Sequence, residues 1–154
     1  MLVRMQSKIT QLILKAADSL ARARGDANPD RLPPHLVRGK QGEDAAYFYL
    51  RDRGYVVVAR NFRSPRHRGE IDLIGWDGDI LCFVEVKTRS RHGMVPAEMA
   101  VDGVKRSLLR ATARDYLRRL KTAPTVRFDV ISLYFHSQSV APEIALFKNA
   151  FPMS

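Results

Sequence analysis

The sequence predicts an α/β fold, a mixed β-sheet flanked by helices, with one extra helix at the N-terminus. Three observations carry that prediction. Helix-like and strand-like segments follow one another in the order αβββαβ, which favours a layered sheet over a bundle or a sandwich. The most apolar stretch, GEIDLIGWDGDILCFVEVKTR (69–89), divides around a turn into two strand-like arms. At 154 residues the chain has the length of one domain with one sizeable core.

Taken in order, residues 2–24 read as a helix. Ile9, Leu12, Ile13, Ala16 and Leu20 form an apolar stripe, Arg4, Lys8, Lys15 and Arg22 a basic one, and Gly25 can end it. Such a helix is expected to dock on its own domain or on a second copy. GDANPDRLPPHLVRGK (25–40) has linker chemistry, because its prolines resist helix and offer no amide to a sheet. Residues 1–37 are therefore expected to form an amphipathic helix and a Pro-rich linker, and 38–154 the compact domain. QGEDAAYFYLRDRGY (41–55) reads as a helix closed by Gly54. YVVVARNF (55–62) is a β-branched strand, RSPRHRG (63–69) a basic loop, and the hairpin turns at DGD (77–79). PAEMAVDGVKRSLLRATARDYLRRL (96–120) is helical over most of its length, with Gly103 either a break or the true start. TVRFDVISLYF (125–135) is a strand, and IALFKNAF (144–151) a last short strand or tail.

Composition narrows the classes. Lys and Arg number 26 against 16 Asp and Glu, a net charge of +10, which favours polyanionic partners, nucleic acid before membrane. The excess is shared between the N-terminal 41 residues and the remainder, so it is no basic tail. A single cysteine, Cys82, excludes an intrachain disulfide and a multi-Cys zinc site, and inside ILCFV it reads as a buried apolar residue. No apolar run has the length of a membrane span. Lys8 and Lys15 interrupt the one segment that could imitate a signal peptide. The expected location is the cytoplasm.

The hairpin holds charges where a core should be. Side chains alternate along a strand, so Glu70, Asp72 and Ile74 share one face of the first arm, and Leu81, Phe83, Glu85 and Lys87 one face of the second. A loop at Asp77-Gly78 sets Asp72 opposite Phe83 and diagonal to Glu85. A loop at Gly78-Asp79 sets Asp72 directly opposite Glu85. Both suit hairpin chemistry, and both bring Asp72, Glu85 and Lys87 out on one face. Opposed positions lie about 5 Å apart at Cβ, close enough for two carboxylates to share one ion. Hard oxygens without His or Cys favour Mg²⁺ or Mn²⁺. Lys87 would then position or activate an attacking water, or offset growing negative charge. Glu43 stands on the sheet-facing stripe of its helix with Ala46, Tyr47 and Leu50, early enough to gain from the helix dipole. A capping or surface acid is its plainer role, as solvated charge is the plainer role of the hairpin's acids.

An acid on a first helix, an Asp on one strand and E-x-K on the next resemble the PD-(D/E)XK nuclease superfamily, with EID replacing PD so that Ile71 stands where the proline would be. More narrowly, GEDAAYFYL, GY, ARNFR, GEIDLI, FVEVKTR, RFDVI and FKNAF, in that order, look like the YraN family of small bacterial endonuclease-like proteins, akin to archaeal Holliday-junction resolvases. The likeness runs from about Arg38 to the end. It implies a restriction-endonuclease-like mixed central sheet between helices, a Mg²⁺ site at Asp72 and Glu85, Lys87 as catalytic lysine and Glu43 as supporting acid. Resolvase-like chemistry favours a two-fold homodimer.

For the phosphates, RNFRSPRHR (60–68) leads into the acidic strand and supplies Arg60, Arg63, Arg66 and Arg68, with Arg89 beyond Lys87. Arg106, Arg110, Arg114 and Arg118 recur every four residues as a ridge, at a repulsive cost of a few tenths of a kcal/mol per pair. Asn61 is expected to organise its loop, His67 to stand by, and Trp76 to pack. The expected function is Mg²⁺- or Mn²⁺-dependent hydrolysis of DNA phosphodiesters, in branched or damaged DNA. The alternatives are a non-catalytic nucleic-acid-binding module and a ribosome- or RNA-associated protein using the same surface.

Overall fold

A computed structural model describes residues 34–89, 101–136 and 141–154. The helix read at 2–24, most of the linker and the first residues of the later helix lie outside the described residues. The first described helix, α1, runs Pro34–Asp52. It begins inside the stretch read as linker, ahead of the boundary drawn at 37/38. Proline is tolerated in a helix's first turn, where its missing N–H has no partner to lose and its fixed φ already suits the helix. The other end is as read. Gly54 takes φ 84°, its N–H donates to Arg51 O at 3.0 Å, and Tyr55 N–H donates to Leu50 O at 3.1 Å. Those bonds make a Schellman cap, and Tyr55 and Leu50 share one core cluster, the apolar pairing that often accompanies that motif.

Three strands follow, β1 (Val56–Arg63), β2 (Glu70–Asp77) and β3 (Ile80–Arg89). Helix α2 (Gly103–Leu117) then leads to β4 (Thr125–Tyr134) and β5 (Glu143–Phe151). Gly103 is the start of its helix, not a break within it. Asp102 caps that start, its carboxylate accepting the Lys105 N–H at 2.8 Å. The five strands lie in chain order in one sheet. β3 and β4 run parallel, connected through α2, and every other neighbouring pair is antiparallel. The mixed α/β fold is the one the sequence predicts, and its order is consistent with a restriction-endonuclease-like arrangement.

Alternation along the strands divides the core between the sheet's two faces. Ala45, Ala46 and Leu50 of α1 cover Leu73, Cys82, Val84, Ile131 and Leu133. Leu109 and Ala113 of α2 cover Ile74, Leu81, Phe83, Phe128 and Val130, with Trp76 packed alongside. Burial holds the Cys82 thiol up to about 12, so it is an unreactive core residue.

At the turn end of the hairpin a closed polar network ties three strands together. Arg127 donates to both oxygens of Asp129, at 2.8 and 2.9 Å, and to Asp77 at 2.7 Å. Tyr55 Oη accepts from Arg127 at 3.0 Å, and Asp129 also takes the Asn149 N–H at 2.9 Å. Lys148 reaches Asp77 at 2.8 Å. The Asp129 side chain is fully buried, yet both its oxygens are satisfied, which is what a buried charge needs in order to be tolerated.

Candidate active site

The hairpin closes at Gly78-Asp79, pairing Asp77 with Ile80 and, four steps on, Leu73 with Val84. This is the second of the two registers, and it sets Asp72 and Glu85 at the next opposed position. There the strands part. β2 continues with β1 through Phe62↔Ile71 and Arg63↔Glu70. β3 continues with β4 as far as Arg89↔Tyr134. Asp72 and Glu85 thus stand at the fork of the sheet. The fork leaves Val86 N–H without a strand partner across the gap, and Asp72 Oδ2 accepts it at 2.7 Å.

A twist in the two departing strands falls at the same level. Ile71 and Phe62 pack on the α2 side, although Leu73 packs on the α1 side. Asn61, between Arg60↔Leu73 and Phe62↔Ile71, adopts φ 49°, a left-handed conformation that asparagine tolerates better than most residues. Its side-chain amide donates to Glu43 Oε2 at 2.9 Å. Asn61 therefore bends the strand and holds the helix-borne acid. Gly42 lets α1 come that close, since a Cβ there would fall 2.1 Å from Thr88 Oγ1 on β3.

The electrostatics of the fork are unusual. Burial first, and Glu85 second, push the Asp72 carboxyl up to about 7; Glu43 adds to the rise, while the Val86 N–H and Lys105 oppose it. The Glu85 side chain is only 5% exposed, and its Oε1 lies 2.9 Å from Lys87 Nζ and 3.2 Å from Lys105 Nζ. Glu85 Oε2 is buried and has no hydrogen-bond partner among the described residues. One strand over, at the position paired with Lys87, Ser132 Oγ is also buried with no partner among the described residues. A buried carboxylate oxygen left unpaired costs about 1–3 kcal/mol or more, so this corner is kept at the expense of stability.

Asp72, Glu85, Lys87 and Glu43 are thus brought together as the sequence pattern implies. Lys105 joins them from the first turn of α2 and was not among the expected residues. Its one local mark is position: a lysine in the first turn opposes the helix dipole, but that is visible only once Asp102 and Gly103 are taken as the helix start. Among the described residues no three His, Cys, Asp or Glu converge tightly enough to enclose an ion by themselves. Two carboxylates with a free oxygen suit a cation that keeps most of its waters, which is the habit of Mg²⁺.

The expected phosphate contacts divide. Arg60 pairs with Asp44 and lies over the Tyr47 ring at 4.9 Å. Arg63 is exposed and pairs with Glu70 at 3.0 Å. The loop after β1 is pinned to α2 by buried Asp115, which takes Ser64 Oγ at 2.5 Å, Arg118 at 2.6 Å, His67 at 3.3 Å and Arg66 at 3.7 Å. The Ser64 hydrogen bond, with help from those cations, holds the Asp115 carboxyl below its ordinary range. His67 is accordingly a bystander to the fork. Arg68 and Arg114 are exposed, and Arg89 is half-buried at the end of β3. The ridge on α2 is not a uniform face. Arg106 donates to Val101 O at 2.7 Å and Arg110 to Pro152 O at 2.9 Å, both guanidinium groups lying over the Phe151 ring.

Fold and site together describe a mixed α/β protein, consistent with a restriction-endonuclease-like arrangement, with acids and lysines gathered where its sheet divides. The comparisons with known proteins fix the family. The model of uncharacterised protein family UPF0102 matches residues 42–133, and the chain belongs to that family, the one its YraN-like motifs point to. A UPF0102 protein of Koribacter versatilis (strain Ellin345) is 46% identical over 145 residues, covering 94% of this chain and 96% of its own length. One from Solibacter usitatus (strain Ellin6076) is 45% identical, covering 91% of this chain and 98% of its own length. One from Clostridium kluyveri is 44% identical over 117 residues, covering 73% of this chain and 92% of its own. The first two matches reach well into residues 1–37, which the family model does not cover.

Proposed function

We propose that this protein is a divalent-cation-dependent endonuclease that hydrolyses DNA phosphodiesters, with branched or damaged DNA as its substrate class. The observation that carries this reading is the fork: two opposed carboxylates, one with a buried, unpartnered oxygen, beside two ammonium groups. A structural ion cluster would be closed, as the Asp129 network is. Asp72 and Glu85 would hold the cation, Mg²⁺ or Mn²⁺. When bound, it polarises a phosphate oxygen and acidifies an attacking water. Lys87, on the same face of β3 as Glu85, orients that water and offsets the negative charge that grows on the phosphate. Glu43, anchored by Asn61, adds negative charge on the cation's side. Water adds to phosphorus and gives up a proton to solvent, the bond to the leaving oxygen breaks and that oxygen takes a proton from solvent, and the strand is cut. Arg63, Arg66, Arg68 and Arg114, on the exposed surface, are the arginines best disposed to meet the backbone. A homodimer would match a two-fold branched substrate.

Cleavage of labelled duplex, single-stranded, flap and four-way-junction DNA with Mg²⁺ or Mn²⁺ tests the reading. Cutting that Asp72→Ala and Lys87→Ala each reduce by about 10³-fold or more, with binding retained, is the expected result. Tight binding without cutting, indifferent to both substitutions, would leave a nucleic-acid-binding module instead.

A further inference from the structure

Lys105 belongs neither to the acid–acid–lysine pattern nor to the arginine ridge, yet its Nζ lies 3.2 Å from Glu85 Oε1. Lys87 already stands on that oxygen at 2.9 Å. Two ammonium groups therefore crowd one carboxylate oxygen while the other, Oε2, is buried without a hydrogen bond among the described residues. An ionised carboxylate offers about four lone-pair sites over two oxygens, so this arrangement uses one side and leaves the other for a different ligand.

Helix stability does not explain the lysine. The first turn of a helix disfavours a cation by about 0.3–1 kcal/mol, and a second ammonium alongside adds to the cost. About a third of the Lys105 side chain, 34%, is exposed, against 5% for Glu85, so the lysine is not enclosed with the acid it pairs with. Its backbone, by contrast, is fixed, with the N–H bonded to Asp102 at the helix cap. A tethered, partly exposed lysine held by one buried acid is poised to change partners.

Charge shows what that partner is. Once a cation keeps all three carboxylates ionised, Asp72, Glu85 and Glu43 set against Lys87 and Lys105 sum to one negative charge, the cation itself left out. A divalent cation reverses that to one positive charge in excess, which a single phosphodiester monoanion balances. Without Lys105 the same sum is already neutral before the phosphate arrives.

We infer that Lys105 is the phosphate-binding lysine of this site, resting on Glu85 Oε1 in the absence of a cation and turning to a non-bridging oxygen of the scissile phosphate once Glu85 is engaged. The inference rests on the nuclease reading, and the experiment separates the two. Mn²⁺ binding to the full chain is measured without DNA by electron paramagnetic resonance, for the wild type, Asp72→Ala, Lys105→Met and Lys105→Arg. Cutting of the best substrate is then measured at saturating Mn²⁺.

Wild-type binding that Asp72→Ala abolishes is expected. Lys105→Met tightens Mn²⁺ about 3- to 10-fold, because a like charge has left the ligand's side. The same substitution slows cutting by about 10²-fold, the usual loss when one charged stabiliser is removed. Lys105→Arg restores the wild-type affinity and most of the rate, and keeps the inference testable should the Met variant fold poorly. Tighter metal with slower chemistry is a combination that a merely structural lysine cannot give. Unchanged Mn²⁺ affinity, or unchanged cutting, in Lys105→Met overturns the role of Lys105 alone. A wild type that does not bind Mn²⁺ overturns the nuclease reading and this inference with it.

Discussion

β2 carries an aspartate near each end, and the two have opposite environments. Asp77, at the turn, receives Arg127 and Lys148, and these hydrogen bonds hold its carboxyl down to about 2. Asp72, about 16 Å along the strand, is raised to about 7 by burial and by Glu85. Around Asp77 the network's charges are paired: Asp129 is saturated, and Arg127 bridges two acids and a tyrosine. Around Asp72 an acid faces an acid, and Glu85 keeps a bare oxygen. The first arrangement stabilises the fold; the second costs stability and is the mark of a site left open for a ligand.

Breaking the closed end should have the largest effect on stability. Arg127→Ala leaves Asp129 buried and unpaired, and urea unfolding should show a loss of about 3–5 kcal/mol. The open end should respond the other way. In metal-free buffer, Asp72→Asn removes a carboxyl that the fold prefers protonated, and should raise stability at pH 8 by roughly 1–3 kcal/mol. Because the folded pKa of Asp72 lies above its unfolded value, the wild type should lose this increment as pH climbs from about 4 through 7. The Asn variant should be flat over that window.

Asp77 gives the mirror image. Its folded pKa is depressed, so its contribution is complete above about 4 and vanishes as pH falls through about 2. After allowance for its partial exposure, Asp77→Asn should cost about 1 kcal/mol at neutral pH and nothing near pH 2. The smallest stability effect is expected at Asn61. Asn61→Gly preserves the left-handed backbone, so it should cost no more than about 1 kcal/mol. It also frees Glu43, and the cutting rate should fall about 10-fold while melting stays nearly unchanged.

Much of the fork was legible in the sequence, because period-two alternation placed Asp72, Glu85 and Lys87 on one face whichever way the hairpin closed. The register was not, since two loops suited the same DGD. Gly78, at φ 59° in the first loop position, shows why Gly78-Asp79 prevails: the turn puts its positive φ on glycine, while Asp77 stays in the strand and binds Arg127 and Lys148. Pro34 misled because a proline cluster reads as linker until one of them becomes a helix's first residue. The arginine ridge showed its spacing but not its targets, for Val101, Phe151 and Pro152 are tertiary neighbours of Arg106 and Arg110. Nothing local in TVRFDVISLYF announced that Arg127 and Asp129 would form the buried network. Lys105 was hidden for the same reason, its partner being twenty residues back on another element.

The contrast between the two aspartates is tested most directly by one titration. Mn²⁺ is added to the metal-free wild type, Asp72→Asn and Asp77→Asn, with binding followed by water-proton relaxation. A site lost in Asp72→Asn and intact in Asp77→Asn is the predicted result. Equal binding by all three proteins, or no binding by the wild type, would contradict the claim that the fork is built to hold a cation.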